Sequence, residues 1–129
     1  IAKMELGLQE KVLKIGNLKT QRVVIDVRDC VRSYYLLMMS DLSDGNVYNV
    51  CGQDVRPMQY YTDCLINSST FDYEEVKQEI YKPYYRDIDI EIQIGDTEEL
   101  FQHTGWEPEI PLDKTMEDLL NYWRRKLEK

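Results

Sequence analysis

Apolar and polar positions alternate most strictly at Ile88, Ile90, Ile92 and Ile94, with Asp89, Glu91 and Gln93 between them. A period of two predicts a half-buried strand, and this is the clearest strand signal in the chain. Gln21 to Val27 is rich in β-branched residues and predicts a buried strand, while Lys11 to Ile15 and Val47 to Cys51 predict two shorter ones. Helical spacing takes over elsewhere. From Asp29, the residues Val31, Tyr34, Tyr35 and Met38 form one apolar face, and Pro57 opens a helix with Met58, Tyr61 and Leu65 inward. Asp96, with Glu99 three residues on, starts another helix, and the last begins near Asp113 with Met116, Leu119, Leu120, Trp123 and Leu127 toward a core. Ile1 to Leu6 reads as the end of a helix closed by Gly7. Phe71 to Tyr81 stays ambiguous between helix and strand. Gly105 stops a helix just before Trp106 and Pro108, so a large aromatic is held at a bend.

Strands alternating with helices predict an α/β fold. Its 129 residues suit a single domain, 1–129. The chain opens on Ile1 rather than Met and is expected to be a fragment. A formal charge of -8 argues against non-specific attraction to nucleic acid or anionic membrane, so an anionic ligand would have to be met by local arginines. The longest apolar run is too short to span a bilayer, which points to a cytoplasmic chain. Cys30, Cys51 and Cys64 form no Cys-x-x-Cys pair and read as reduced, packed thiols.

Catalytic signals are weak. No Gly-rich loop follows a strand, so no dinucleotide or phosphate cradle is expected in this chain, and no cofactor or metal. The lone His103 falls in the last turn of a helix, where a cation favours the dipole; a structural role is expected. Tyr73/Lys77 and Tyr122/Lys126 match a Tyr-x-x-x-Lys pair, but with ten tyrosines in the chain such matches arise by chance. No residue is assigned as catalytic.

Four stretches in order stand above composition: "GNLKTQRVVIDVRDCVRSYYLLM" from Gly16, "GNVYNVCG" from Gly45, "YYRDIDIEIQIGDTEEL" from Tyr84 and "TGWEPEIPLDKTMEDLLNYWR" from Thr104. Together they resemble the C-terminal substrate-binding part of the extended short-chain dehydrogenases that act on GDP-sugars, the GDP-mannose 4,6-dehydratase and GDP-6-deoxy-4-keto-mannose reductase family. The resemblance implies an α/β C-terminal lobe without the N-terminal Rossmann half, and a Trp106 that is structural. It implies that the whole enzyme uses NAD(P), either as a lyase dehydrating GDP-mannose or as an oxidoreductase reducing the 4-keto product, while this chain alone is inactive.

The same resemblance implies substrate-binding roles for Arg22 and Arg86 on the pyrophosphate, for Leu13, Lys14 and Ile15 beside the nucleobase, and for Asn17 in the turn before Arg22. A guanidinium suits the first role because its planar donor fork matches phosphate oxygens and keeps its charge when buried. The alternative is that Arg22 and Arg86 pair with Asp26 and Asp89. Two departures stand next to these arginines: Val23 and Val24 replace the family's Asp and aromatic, and Asp87 replaces its Pro. The implied partners are a GDP-sugar and, through the helix from Asp29 to Met39 and the Val47 to Cys51 strand, either a second copy or a separate N-terminal half. Tyr34, Tyr35, Leu37 and Met38 would otherwise face water. A non-catalytic binding or interaction protein that retains the fold is the alternative function.

Overall fold

A computed structural model describes residues 1–86 and 88–128. The chain is α/β, in the order α1 (Ala2–Glu5), β1 (Val12–Ile15), β2 (Gln21–Val23), α2 (Val27–Met38), β3 (Val55–Pro57), α3 (Met58–Asn67), β4 (Lys77–Ile80), α4 (Glu98–Thr104) and α5 (Leu112–Leu127). Short 3₁₀ turns at Tyr73–Glu75 and Lys82–Tyr84 flank β4. Among the described residues, no helix is long and apolar enough to cross a membrane.

The strands form two separate pairs. β1 runs parallel to β4 with Val12 opposite Lys77 and Ile15 opposite Ile80; β2 runs antiparallel to β3 with Arg22 opposite Arg56. The ambiguous segment before Tyr81 thus resolves into a 3₁₀ turn and a strand. Helices α1 and α3 pack against α5. One core cluster joins Met4, Ile66 and Val76, with Ile1, Leu13 and Phe71 packed on it.

Three expectations change. β2 ends at Val23 rather than Val27, because Asp26 turns out of the strand to cap α2, its carboxylate accepting the Arg28 N–H at 2.8 Å. Val47 to Cys51 forms no strand; the partner of β2 is β3, and Val47 is 89% exposed. The isoleucine segment from 88 to 94 is also no strand. It is held by a single parallel bridge, with the Gln21 N–H donating to the Glu91 carbonyl at 2.7 Å and the Gln93 N–H to the Gln21 carbonyl at 3.1 Å. All four isoleucines are exposed, Ile88 at 90%. Alternation becomes a strand only where a neighbouring edge and a covering layer exist, and the three-residue β2 supplies too short an edge.

The outward face of α2 is apolar. Val31, Tyr34, Tyr35 and Met38 are exposed and Leu37 is half-buried, while the residues turned inward are Asp29 and Ser33. In α5, Met116 and Leu120 are buried, but Leu119 and Trp123 are partly exposed. In α3 the deepest side chains are Tyr61 and Ile66 rather than Leu65.

The bend at Gly105 is the best-defined junction. Gly105 takes φ 68° at the end of α4, a left-handed conformation that suits glycine. Trp106, 1% exposed, donates from Nε1 to the Asp29 carbonyl at 3.0 Å. The Asp29 carboxylate, also buried, accepts the backbone N–H of Glu109 at 3.1 Å and of Ile110 at 2.9 Å. Arg32 bridges the carboxylates of Asp29 and Glu109 and donates to the Glu107 carbonyl. One turn earlier, Asp26 accepts from the Thr115 hydroxyl at 2.8 Å, and Arg28 links Asp26 to Asp118. The start of α2 is thereby tied to both the bend and α5.

Removing the Asp29 carboxylate leaves the Glu109 and Ile110 N–H groups without their acceptor, so Asp29→Ala is expected to cost about 3 kcal/mol in urea unfolding. Asp29→Asn keeps one acceptor and is expected to cost about half as much; equal losses for the two variants would show that the carboxylate's bonds are not the cause.

A second expectation concerns acid. The Arg28 hydrogen bonds hold the Asp26 carboxyl far below the usual carboxylate range. A depressed folded-state pKa stabilises the fold above the ordinary carboxylate value, near pH 4, and the contribution fades as pH falls below it. Stability measured from about pH 5 downward should therefore drop less steeply in Asp26→Asn than in the wild type. Parallel curves would contradict this.

Candidate functional site

Arg22 leaves β2 and Arg86 follows the 3₁₀ turn at Lys82–Tyr84, and the two arrive at one cleft of about 360 Å³. Ile15, at the end of β1, and Asn17, in the turn after it, line the same cleft, with Thr20, Met58, Thr62, Tyr84 and Asp89. The turn closes on itself: the Asn17 side-chain oxygen accepts the Lys19 N–H at 3.0 Å, and the Thr20 hydroxyl donates to the Asn17 carbonyl. Gly16 is required here, since a Cβ would stand 2.8 Å from the Tyr84 carbonyl oxygen. That close approach sets Tyr84 against the end of β1.

Arg22 is anchored. Nη1 donates to the carbonyls of Gln21 at 2.8 Å and Ile90 at 2.7 Å, and Nη2 meets the Asp89 carboxylate at 3.1 Å. Both partners of the ion pair are largely buried, and the Asn17 amide also reaches Asp89, at 3.5 Å. Of the pairings weighed from sequence, Arg22–Asp89 is present, whereas Asp26 is taken by Arg28. Arg86 is exposed at the cleft. Asp87 beside it lies outside the described residues.

The other two sequence candidates fall elsewhere. Leu13 packs on the Met4, Ile66 and Val76 core, and Lys14 is exposed with its ammonium 5.3 Å from the Tyr81 ring centre. Both border a second hollow of about 760 Å³, whose wall also includes Glu79 and Tyr84. Sequence reasoning passed over Tyr84 and gave Asp89 only as a structural partner. In the period-two stretch Asp89 reads as a solvated face, and only the fold of the 88–94 segment turns it toward Arg22.

The Tyr-x-x-x-Lys matches do not assemble a proton-transfer pair. Tyr73 donates to Asp63 at 2.7 Å, which pushes its hydroxyl pKa up, while Lys77 pairs with Glu79. Lys126 sits over the Tyr122 and Trp123 rings at the surface. His103 meets the Tyr48 hydroxyl at 2.7 Å through Nδ1, and its carbonyl accepts the Ser40 hydroxyl, so it fastens α4 to the loop after α2.

The model of the GDP-mannose 4,6-dehydratase family matches residues 1–119. The chain belongs to that family. It is 29% identical over 127 residues to the GDP-6-deoxy-D-mannose reductase of Pseudomonas aeruginosa, covering 98% of this chain and 40% of the reductase. The NADPH complex of RMD from Pseudomonas aeruginosa superposes with a TM-score of 0.81 at 27% identity, covering 97% of this chain and 40% of that one. At the level of fold alone, the UDP-glucose 4-epimerase of Thermotoga maritima matches with a TM-score of 0.77 at 23% identity, over 98% of this chain and 38% of the epimerase. The fold is therefore that of a C-terminal lobe of extended short-chain dehydrogenases, and the chain spans 40% of the length of the curated relative it matches.

The positive-φ glycines, Gly7, Gly45 and Gly105, stand singly in helix ends and a turn, and none forms a glycine-rich turn from a strand into a helix.

Proposed function

We propose that this chain is the substrate-binding lobe of an NAD(P)-dependent enzyme acting on a GDP-sugar, with Arg22 and Arg86 gripping the pyrophosphate. The observation that supports it is the convergence of both arginines, Ile15 and Asn17 on one cleft in an otherwise acidic chain. Arg22 is held by two carbonyls and Asp89, so its guanidinium is oriented before any ligand arrives and little rotamer entropy is lost on binding. Arg86 adds an exposed positive charge at the rim. The lobe's contribution to rate is orientation of the nucleotide, with the bond-making groups supplied elsewhere in the enzyme. Both dehydration of GDP-mannose and reduction of a 4-keto sugar fit this role.

The Arg22–Asp89 pair also favours a second reading, a protein that keeps the fold without turnover, because a pyrophosphate must share Arg22 with a carboxylate. Titration with GDP and GDP-mannose tests the grip. Arg86→Ala is expected to cost about 1.5–3 kcal/mol of binding, as for a charge-assisted contact, and affinity should fall with added salt. Arg86 is the cleaner probe, since Arg22→Ala also releases the 88–94 segment. Equal affinity in the wild type and in Arg86→Ala would remove the clamp.

The same reading accounts for the outer face of α2. We infer that Val31, Tyr34, Tyr35 and Met38 are covered by a nucleotide-binding half or by a second copy, because apolar surface of this kind is ordinarily buried against a partner. At micromolar concentration the wild-type chain is expected to sediment as an oligomer, and the Tyr35→Glu, Met38→Glu variant as a monomer. A monomeric wild type, with the two proteins equal in sedimentation, would count against this surface.

A further inference from the structure

A third hollow, of about 430 Å³, lies between α1, β1, α3 and α5 and backs onto the arginine cleft at Ile15 and Thr62. Its walls are hydrocarbon. Leu65 of α3 and Leu119, Leu120, Trp123 and Leu127 of α5 face the side of β1 that turns away from Lys14. The α5 residues recur at helical spacing, and the two at the edge of that stripe, Leu119 and Trp123, are 43% and 44% exposed. The hydroxyl in the lining, that of Thr62, already donates to the Met58 carbonyl at 3.2 Å. The hollow is also propped open. Arg124 on α5 donates to the Glu5 carboxylate of α1 from Nε at 2.7 Å and from Nη2 at 2.5 Å, and to the Ser68 carbonyl just after α3 at 3.2 Å. One guanidinium thus spaces three helices, and because the Glu5 side chain is only 8% exposed, closing the gap would break a charge-assisted network.

The rim carries the opposite charge to the rest of the chain, whose formal net charge is -8. Lys3 lines the hollow and is exposed, and the Lys126 ammonium lies 4.8 Å from the centre of the Trp123 ring. Neither lysine takes part in an ion pair among the described residues. Apolar walls with a few placed polar groups are the ordinary make-up of a small-molecule site, and here the placed groups are cations at one end. A sugar or a nucleotide would give up the hydration of its polar groups inside these walls and gain no hydrogen bonds in return. The surface of an anionic bilayer is disfavoured by the net charge. An alkyl tail with a single anionic head satisfies both parts, since the tail leaves water and the head keeps it while meeting an ammonium.

We propose that this hollow binds a free medium-chain alkanoate, its tail against Leu65, Leu119 and Trp123 and its carboxylate between Lys3 and Lys126. The site does not depend on a nucleotide in the arginine cleft. Trp123 reports occupancy, because the other tryptophan, Trp106, is already buried. Titration with hexanoate, octanoate and decanoate, each below its micelle-forming concentration, is expected to shift tryptophan emission to the blue. Affinity should rise about fourfold per added methylene, the scale of one methylene buried. Octylammonium, which sets a third cation beside the two lysines, should bind about tenfold more weakly than octanoate. By calorimetry, the Lys3→Gln, Lys126→Gln variant should lose octanoate affinity several-fold and keep its affinity for 1-octanol. Leu119→Gln should weaken both ligands with circular dichroism unaltered, since that side chain is partly exposed. Affinity that ignores chain length, or that is equal for octanoate and octylammonium, overturns the proposal. So does a chain that binds none of the three acids yet sediments with phosphatidylglycerol vesicles, which would make the hollow a membrane contact instead.

Discussion

A buried carboxylate sets the geometry of this lobe. Asp29 sits in the first turn of α2 and receives the backbone N–H groups of Glu109 and Ile110, while its own carbonyl takes the indole N–H of Trp106. A carboxyl group that is only 2% exposed is costly unless its lone pairs are filled, and here they are filled by Arg32 and by the chain that must turn after α4. The bend could not move without taking two backbone donors away from that carboxylate. Gly105 allows the turn and Trp106 fills the space behind it, but Asp29 decides where the turn stops. Because Asp26 ties the same helix end to α5 through Thr115, the last third of the chain is placed relative to α2 by two aspartates three residues apart.

This arrangement explains why α2 presents its apolar side outward. A helix can bury only one stripe against the lobe, and in α2 that stripe carries Asp29 and Ser33, whose polar atoms are matched by the bend and by the Cys30 carbonyl. Val31, Tyr34, Tyr35 and Met38 are left on the far side by the 3.6-residue period itself. From sequence those residues look like a core face, yet in this chain they are exposed. The polar stripe was the harder one to recognise, because Asp and Ser in a helix read as solvent-facing until their backbone partners are known.

Elsewhere, structure decided by local chemistry is legible in the residues, and structure decided by pairing is not. Helix ends at Gly7 and Gly105 and the short strand before Gly16 were legible from turn and cap residues alone. Val47 to Cys51 and Ile88 to Ile94 have strand composition and no strand, since a ladder needs a neighbour that composition does not reveal. At the cleft, Arg22, Arg86, Asn17 and Ile15 were named through family resemblance and meet in space. Leu13 and Lys14 were named as one group with Ile15, but a strand sends successive side chains to opposite faces, so Leu13 enters the core and Lys14 the outer hollow.

Alternation also governs how the cleft is charged. The segment after Arg86 is too weakly paired to be a strand, yet it is extended enough to turn Asp89 toward Arg22 while Ile88 and Ile90 face water. Arg22 is then both the anchor of that segment and the positive centre of the cleft. Its hydrogen bonds to the Gln21 and Ile90 carbonyls neutralise no charge; only Asp89 does. Under the pyrophosphate role proposed above, an entering diphosphate would carry more negative charge than one carboxylate and would meet Arg86 at the same opening, so it would compete for Arg22 with help that Asp89 lacks. Before the ligand arrives, Asp89 keeps a largely buried guanidinium from standing without a counter-charge, which would cost more than the pair itself returns. The carboxylate that looks like an obstacle to an anion is in this way what lets an arginine wait in the cleft, already oriented.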